Sequence, residues 1–497
     1  MKSILYPPLL LLLSVPSLPL QAEPSKTTPA ETAVVETVPE WHYSIDGKKA
    51  NSQAITEQAP FKPLLTILKN SIKVATTKKK MVSTVVKLPT NAFVSDAVGA
   101  LPDINIVTQV DDKGQGQSKI AIPAMQKKIK DEDVNGVIDF KGLKADVVYQ
   151  GALKQAVAKV DLPYLLMQVN DSETNSELLI KEFKLAFSLD DNDKMINTDF
   201  SLPTFNFKDD ETSFKLEKLS IKSDAKEVKP NLSLANSHMK MAKLAVGTMN
   251  NYITIEGMEL LSQYHFANNL VSNALSLSMD KIQLPSIISQ NTHNLKYQSK
   301  LFFHKLDADV LIKLQETINS MQKQYEMGLP PQLIGMSFFG TLVEIGPQLL
   351  KKSPEIELKD LKIQSDEGNM TGKMHIKFDG SQALDFNNPL SLLMSVGMSG
   401  QFNVDESLFK TVIKSQVQNN VANATKKFSE KEINRLVDSE IQHLVADKQW
   451  LKIGNQYRMS LRFADAELYI NGQAIELPPS FDLKQENLGV EAPAKNK

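Results

Sequence analysis

An eight-residue pattern recurs along this chain and constrains its fold more than any other feature. The clearest copy occupies residues 214–221, with apolar residues at positions one, three, six and eight and polar residues between them. On a helix, at about 100° per residue, these four positions do not share a face. In a strand each apolar pair shares a face, and one extra residue at a β-bulge returns both pairs to the same side. The pattern therefore predicts long, half-buried, kinked strands.

Copies of this octet are spread over most of the chain. They occupy residues 138–145, 178–185, 239–246, 253–260, 277–284 and 356–363, with looser copies at 301–308 and 461–468. Glycine stands at the fifth position in two copies, as Gly142 and Gly257, where a bend needs conformational freedom. The series predicts an α+β fold of long curved antiparallel β-sheets, built from repeated kinked strands, with several packed helices.

The first 55 residues differ in composition from the rest of the chain. Residues 1–22 hold one lysine and a leucine-rich run broken by prolines, which predicts a secretory signal peptide, with an uncleaved membrane anchor as the alternative. Residues 23–55 are rich in Pro, Thr, Glu and Ala and predict a flexible linker. The chain contains no Cys, which suits an oxidising compartment and excludes thiol catalysis and cysteine-ligated metals.

Turn signals and hydrophobic periodicity divide the remaining chain into four segments. We predict an N-terminal helix and strands over 56–135, a repeated-strand sheet domain over 136–328, a C-terminal α+β domain over 329–480 and a flexible tail over 481–497. Within the C-terminal domain, Ser429 and Glu432 form the sequence of a helix capping box. Asn471-Gly472 predicts the turn of a hairpin.

No catalytic, cofactor-binding or metal-binding constellation is present in the sequence. The chain lacks a Gly-x-Ser-x-Gly elbow, a His-Glu-x-x-His motif, a P-loop and a dinucleotide-binding turn, and no two of its seven His residues have ligand spacing. The Asp-rich residues 190–193 lack the spacing of a calcium loop and predict a hairpin tip. We therefore predict no catalytic, cofactor-binding or metal-binding residues, and the binding residues stay unassigned.

The charge distribution bears on the partners of the chain. Its formal net charge is −2, so the basic excess typical of nucleic-acid-binding proteins is missing and we predict no nucleic-acid partner. Three consecutive lysines, Lys78, Lys79 and Lys80, end the first predicted helix. We interpret them as cations at a helix C-terminus, with contact to anionic membrane headgroups as the alternative.

Several short motifs follow one another in a characteristic order. They include Phe140-Lys141-Gly142-Leu143, Val160-Asp161-Leu162-Pro163, the octet at 214–221, and the segments 305–311, 352–358, 399–404 and 469–472. In this order, over roughly 135–480, the chain resembles the YdgA-like family of bacterial envelope proteins. The resemblance implies a periplasmic or inner-membrane protein of unknown function with an N-terminal anchor, and it supplies no catalytic residues.

The sequence predicts many strands with one apolar face and contains no catalytic motif. This contrast determines the functional prediction. We predict a non-enzymatic periplasmic protein whose concave apolar sheet face holds a lipid or a hydrophobic partner, because a large uncovered apolar face needs a ligand. One alternative is a hydrolase whose site is assembled from distant strands. The other is a structural subunit of an envelope complex, including a homodimer.

Overall fold

A computed structural model describes residues 42–49, 62–87, 101–130, 135–151, 153, 155–170, 175–189, 195–248, 251–284, 294–326, 331–381, 394–422 and 428–475. These residues form mainly antiparallel β-sheet, together with five helices, as the α+β prediction expected. The chain divides into two compact units, Met1–Leu260 with Gln322–Gly328, and Leu261–Met321 with Leu329–Lys497. The division at Leu260 lies within a strand.

The first unit consists of one helix and the first thirteen strands. These elements are β1 (His42–Ile45), β2 (Lys48–Lys49), α1 (Lys62–Lys78), β3 (Val82–Lys87), β4 (Ile104–Val110), β5 (Gln115–Ile122), β6 (Met125–Lys130), β7 (Asn135–Phe140), β8 (Leu143–Gln150), β9 (Gln155–Asn170), β10 (Asn175–Leu189), β11 (Met195–Lys208), β12 (Ser213–Lys229) and β13 (Leu232–Thr248). Strands β9 to β13 pair consecutively and antiparallel. Strands β7 and β8 pair with successive parts of β9.

Helix α1 builds the buried core of the first unit. Ile67, Leu68 and Ile72 recur at the spacing of one helical face and are almost fully buried. They pack in one cluster with residues of β3, β4, β8, β9 and β10, including Tyr149. The Ser71 hydroxyl, also buried, shares a hydrogen bond of 2.8 Å with the Thr84 hydroxyl, which satisfies both polar groups inside the core.

Strands β1 and β2 lie inside the segment predicted as a flexible linker. Strand β1 pairs with β3, and the Tyr43 side chain is 9% exposed within the core cluster. The Asn70 side-chain amide of α1 donates a hydrogen bond to the Tyr43 hydroxyl. The linker prediction is therefore wrong for residues 42–49, because a short apolar alternation in a polar segment is enough to add an edge strand. The predicted signal peptide and the predicted tail lie outside the described residues.

Lysines at the end of α1 and just after it pair with the turn between β1 and β2. Asp46 accepts a hydrogen bond from the Ser83 backbone N–H, and its carboxylate lies 3.1 Å from Lys78 Nζ and 3.4 Å from Lys80 Nζ. These contacts, with the backbone hydrogen bond as the largest cause, lower the pKa of Asp46 from 3.8 to about 2.

The depressed pKa of Asp46 predicts a pH dependence of stability. The contribution of the carboxylate is fully present above pH 4 and is lost as the pH falls from about 4 to about 2, because the folded state then has to bind a proton. Asn also tolerates the positive φ of 49° at this position. We expect Asp46→Asn to lose less thermal stability than the wild-type protein between pH 4 and pH 2. Superimposable melting-temperature profiles of the two proteins over this range would contradict the assignment.

The second unit contains four helices and the remaining strands. Strand β14 (Asn251–Ala267) crosses the division, and the others are β15 (Leu270–Gln283), β16 (Leu295–Asp307), α2 (Ala308–Glu326), α3 (Pro331–Leu350), β17 (Glu355–Ser365), β18 (Gly368–Phe378), β19 (Val396–Asp405), α4 (Glu406–Ala422), α5 (Glu430–Ala446), β20 (Leu451–Ile453), β21 (Gln456–Ala464), β22 (Glu467–Ile470) and β23 (Gln473–Ile475). Helices α4 and α5 form a buried cluster with Val404 of β19 and Tyr457 of β21.

Two local predictions for the second unit are confirmed. The capping box is present at α5, where Ser429 Oγ accepts from the Glu432 N–H at 3.3 Å and the Ser429 N–H donates to Glu432 Oε2 at 2.8 Å. Asn471 and Gly472 both have positive φ, 49° and 81°, and join β22 to β23. Positive φ at both central residues is the geometry of a type I′ hairpin turn, which explains the preference for Asn-Gly.

Most octet residues lie in extended backbone. Those at 178–185, 214–221, 239–246, 253–260 and 356–363 fall within single strands, whereas the copy at 138–145 continues from β7 into β8. The loose copy at 461–468 is a hairpin between β21 and β22, and not one strand. The fifth residue has positive φ in seven copies, namely Gly142, Glu182, Lys218, Gly257, Lys305, Asp360 and Asp465.

The fifth positions coincide with breaks in strand pairing. Pairing of β17 shifts by one residue around Asp360, between Lys359 and Lys362 against β16 and between Leu358 and Leu361 against β18. In the first unit, the flanking pairs place Glu182 opposite Pro163 and Lys218 opposite Pro203. A proline has no N–H to donate, so the hydrogen-bond ladder is interrupted at these positions.

Candidate functional site

Within each unit, ionisable side chains form hydrogen bonds and ion pairs with one another, mainly on polar surfaces. His238 Nε2 lies 2.5 Å from Glu259 Oε1, and His375 Nε2 lies 3.2 Å from Glu355 Oε2. The Lys305 ammonium, which donates to Glu355 at 2.6 Å, is the largest cause of the lowered pKa of that carboxyl group. Within the described ranges, no three His, Asp or Glu side chains are grouped closely enough to hold a metal ion.

A shallow polar hollow lies at the ends of β9, β10 and β11. Its cavity volume is about 320 Å³, and it is lined by polar side chains, among them Gln168, Glu177 and Asp210. Gln168 donates to Glu177 at 2.8 Å, and the Asn175 backbone N–H donates to Asp210 at 2.8 Å. Because these groups satisfy one another, the hollow presents neither a nucleophile nor a general base aimed at a substrate.

A contiguous apolar surface covers one side of strands β7 and β9 to β13. Residues that are directly opposite in antiparallel strands point to the same face, so the register defines rows of side chains across the sheet. The first row is Ile138, Met167, Leu178, Phe207, Phe214 and Val246, and the second row is Phe140, Leu165, Ile180, Phe205, Leu216 and Leu244. We call these twelve residues the first apolar face.

The first apolar face is accessible to solvent. Met167 and Val246 are each 36% exposed, and Ile138 is the member of the two rows that is buried. Neither buried cluster of the described chain includes a residue of these rows. Phe205 and Phe214 pack edge to face with ring centroids 5.5 Å apart, so the surface is formed by interlocked side chains.

The opposite side of the same strands is polar. Lys215 Nζ lies 2.6 Å from Glu217 Oε1, and Lys181 Nζ lies 6.0 Å from the centroid of the Tyr164 ring. Leu179, which follows Leu178 in β10, faces this side and is paired with Leu166 and Asn206. The sheet therefore separates an apolar surface from a charged one, as expected for strands that alternate apolar and polar residues.

The octet accounts for only part of the first apolar face. Leu178, Ile180, Phe214 and Leu216 are first and third octet positions, as the pattern predicts. Strands β9 and β11 contribute four members, Leu165, Met167, Phe205 and Phe207, that lie outside every octet. The alternation Phe205-Asn206-Phe207 was the available signal.

None of the described helices combines the length and apolar character needed to cross a bilayer.

Comparison with known proteins gives a family but no characterised relative. A model of a bacterial protein family of unknown function, DUF945, matches residues 81–478, which is most of the chain. No curated protein and no solved structure matches the chain. The match agrees with the resemblance noted above at the level of a bacterial family without an assigned function. The chain belongs to the DUF945 family of bacterial proteins of unknown function.

Proposed function

We propose that this chain is a non-enzymatic protein of the bacterial envelope, exported to the periplasm, whose first apolar face binds the acyl chains of a membrane phospholipid. The observation that carries the proposal is the pair of six-residue rows on β7 and β9 to β13, which contain no polar side chain, are mostly half-buried and lie outside both buried clusters. Monomeric soluble proteins rarely expose contiguous apolar surfaces of this extent without a binding partner.

The chemistry of the surface matches a hydrocarbon ligand. Its side chains are aliphatic, phenyl and thioether groups, which offer no hydrogen bonds of ordinary strength. The backbone groups beneath Leu178, Phe207 and Phe214 lie in strands paired on both sides, so little backbone is free to bind a peptide as an added strand. The binding hot spots of protein interfaces are enriched in Trp, Tyr and Arg, and the two rows contain none of these residues.

The dimensions of the surface also fit an acyl chain. Each row crosses six strands, and five spacings of about 4.8 Å give a length near 24 Å. A lipid chain occupies about 15 Å, half of the hydrocarbon thickness of a bilayer. The two rows are about 7 Å apart, the rise of two strand residues. An extended chain therefore fits within the length of either row.

In this proposal, the kink within each octet enlarges the first apolar face. We infer that the break at the fifth residue returns the second apolar pair to the side of the first pair. A third row, Ala145, Val160, Leu185, Phe200, Ile221 and Met239, then continues the same surface. The positive φ of Glu182 and Lys218 supports this inference, because a left-handed residue redirects the strand that follows it. Pairing keeps the same register on both sides of these two residues, so neighbouring strands change direction at the same level.

Export is part of the same proposal and rests on composition. A proline-interrupted leucine-rich start, the lack of Cys in 497 residues and the resemblance to YdgA-like envelope proteins all support a periplasmic location. The same surface offers an alternative occupant, an apolar segment of another envelope protein, and the experiment below separates the two.

Two adjacent leucines of β10 give a matched test of lipid binding. Phosphatidylglycerol with a photoreactive diazirine in its acyl chain is presented in vesicles, and cross-linked peptides are mapped by mass spectrometry. We expect labelling of peptides from β9 to β12, reduced about tenfold or more by Leu178→Glu, because a buried carboxylate opposes hydrocarbon. Leu179→Glu, on the polar side of the same strand, should leave the labelling unchanged.

The leucine pair also defines the results that overturn the proposal. Both variants place the same charge at neighbouring half-buried positions of one strand, so their melting temperatures control for a general loss of structure. Equal labelling in the two variants, or no labelling of β9 to β12 in the wild-type protein, contradicts lipid binding at this face. A protein cross-linked there in cells, without lipid, favours the alternative occupant.

A further inference from the structure

We propose that the polar side of strands β18, β19 and β21 docks the second unit on the anionic headgroups of a phospholipid membrane. We call this surface the basic face. It consists of Lys373, His375 and Lys377 of β18, Ser399, Gln401 and Asn403 of β19, and Arg458, Ser460 and Arg462 of β21. The inference rests on the proposed function only for the envelope location, and it concerns a different surface and the headgroup end of the lipid.

Strand register places these side chains on one side of the sheet. His375 is directly opposite Ser399, and Ser399 is directly opposite Arg462, so the three side chains point the same way. Helices α4 and α5 pack against Val404 and Tyr457, whose positions along β19 and β21 alternate with those of the basic face. The two helices therefore cover the other side of these strands, and the Ser399 and Arg462 side chains are exposed.

The basic face carries charge of one sign in a chain whose charges nearly balance. The sequence contains 58 Asp and Glu against 56 Lys and Arg, whereas β18 and β21 contain no acidic residue. Only three Arg occur in the sequence, and two of them are Arg458 and Arg462. A guanidinium group binds phosphate oxygens through two parallel hydrogen bonds, so Arg at these positions favours a phosphate ligand.

The two guanidinium groups are oriented by neutral partners. Arg458 Nε donates to Asn403 Oδ1 at 2.9 Å, and the guanidinium carbon of Arg462 lies 5.8 Å from the centroid of the Tyr469 ring. Within the part of the chain that the structure describes, neither Arg forms an ion pair with a carboxylate. Their positive charge is therefore available to an anion that approaches from solvent.

The acidic side chains at the border of the basic face already have partners. Glu355 of β17 lies 2.6 Å from Lys305 Nζ and 3.2 Å from His375 Nε2. Asp405, at the end of β19, accepts a hydrogen bond from the Gln456 side-chain amide at 2.9 Å. These contacts hold the carboxylates at the edges of the surface, so its centre stays positive.

Two exposed aliphatic side chains lie beside the cations. Leu451 of β20 is directly opposite Arg458, and Ile453 is directly opposite Gln456, so both point to the side of the basic face. They are 38% and 47% exposed. Cations next to exposed apolar side chains suit a membrane surface, where the cations contact headgroups and the apolar groups enter the boundary with the acyl chains. A soluble anion would leave both aliphatic side chains in water.

The dimensions of the basic face also favour a surface over a single anion. Strands β18 and β21 flank β19, so their side chains are about 10 Å apart, two strand spacings. Arg458 and Arg462 are separated by four residues, or about 13 Å along the strand. A single phosphate is held by donors that converge on one point. Cations spread over this distance instead contact several neighbouring headgroups.

The three Arg residues provide matched variants for a vesicle-binding test. Arg458→Gln with Arg462→Gln removes two charges from the basic face. Lys431→Gln with Arg435→Gln removes two from exposed positions of α5, which packs on the other side of the sheet. Partitioning of the full chain is measured by sedimentation with phosphatidylglycerol–phosphatidylcholine vesicles and with phosphatidylcholine vesicles. We expect the wild-type protein to prefer the anionic vesicles. The first variant should lose about 25-fold in partitioning, a factor of about five for each charge, and the second should lose little.

Salt separates the contribution of the cations from that of the aliphatic side chains. Added salt should weaken partitioning of the wild-type protein, and the dependence should be flatter in the paired arginine variant. Leu451→Ser with Ile453→Ser should weaken partitioning at every salt concentration and leave the salt dependence unchanged. All these positions are exposed or half-buried, and unchanged melting temperatures confirm that the variants are folded.

Three results overturn the inference. They are equal partitioning of the wild-type protein onto neutral and anionic vesicles, equal loss in the two paired-charge variants, and a protein cross-linked in cells to a photoreactive residue at Ser460 when anionic vesicles are not bound. The proposed function is tested separately by labelling of β9 to β12. If that labelling is missing while only the paired arginine variant loses anionic vesicles, lipid binding at the first apolar face is overturned and the basic face is supported.

Discussion

Tyr149→Ala should lower the free energy of unfolding of the first unit by about 3–5 kcal/mol, in the range measured for large aromatic residues removed from cores. Tyr149 is 1% exposed and lies in the cluster that α1 forms with the sheet. Its ring occupies the space above Gly116, where a built Cβ would lie 2.2 Å from Tyr149 Cε2. Alanine would therefore leave a cavity that neither the glycine nor the paired backbone can close.

The polar end of Tyr149 is also part of the core. Its hydroxyl lies 3.3 Å from the Ser118 hydroxyl, which in turn lies 3.0 Å from the Thr108 hydroxyl. Burial raises the pKa of Tyr149, with the Ser118 hydrogen bond acting in the opposite direction. Removal of the phenol leaves the buried Ser118 hydroxyl with one partner fewer, which adds to the loss of packing.

Urea unfolding followed by circular dichroism measures the effect, and hydrogen exchange of β4, β5 and β8 peptides locates it in the first unit. Val148→Ala is the matched control, because Val148 is the preceding residue and is 55% exposed. We expect this control to change stability by about 0.5 kcal/mol or less. A loss below about 1 kcal/mol for Tyr149→Ala would show that the core can collapse around the missing ring.

The second large effect is expected in the second unit, where Phe409→Ala should also cost about 3–5 kcal/mol. Phe409 of α4 is 4% exposed. Its ring centroid lies 4.4 Å from that of Tyr457 and 4.9 Å from that of Trp450. Because one ring joins the helix to β21 and to the segment after α5, its removal breaks contacts with two other aromatic groups at once.

Trp450 provides the measurement for this variant. The chain contains two Trp residues, and the other, Trp41, lies outside the described residues, so a Trp41→Phe background isolates the signal of the second unit. We expect Phe409→Ala to shift the unfolding transition seen by Trp450 fluorescence to lower urea concentration. Val412→Ala, on the same helix and 53% exposed, is the control. Coincident transitions for the two variants would argue against the aromatic cluster as a major contributor.

Local signals in the sequence predicted elements that depend on few neighbours. The capping box at Ser429 and the Asn471-Gly472 turn are confirmed, because each is decided by hydrogen bonds or φ angles within a few residues. The linker prediction failed at Tyr43 because an edge strand is stabilised by a distant partner, β3. The composition of a segment is an average over its residues. It does not reveal that two apolar residues within the segment can be buried in a core formed by residues distant in sequence.

The candidate binding surfaces depend both on the local sequence pattern and on the tertiary structure. The alternation within each octet determined that its apolar residues fall in pairs along extended backbone, since side chains of a strand point to opposite faces in turn. Only the tertiary structure decided which pairs lie side by side, because strand register depends on pairing between segments that are distant in sequence. It also decided that α1, α4 and α5 cover their own buried clusters and leave the first apolar face outside them. Coverage depends on where a helix docks after the sheet has formed, and no periodicity within a strand contains that information.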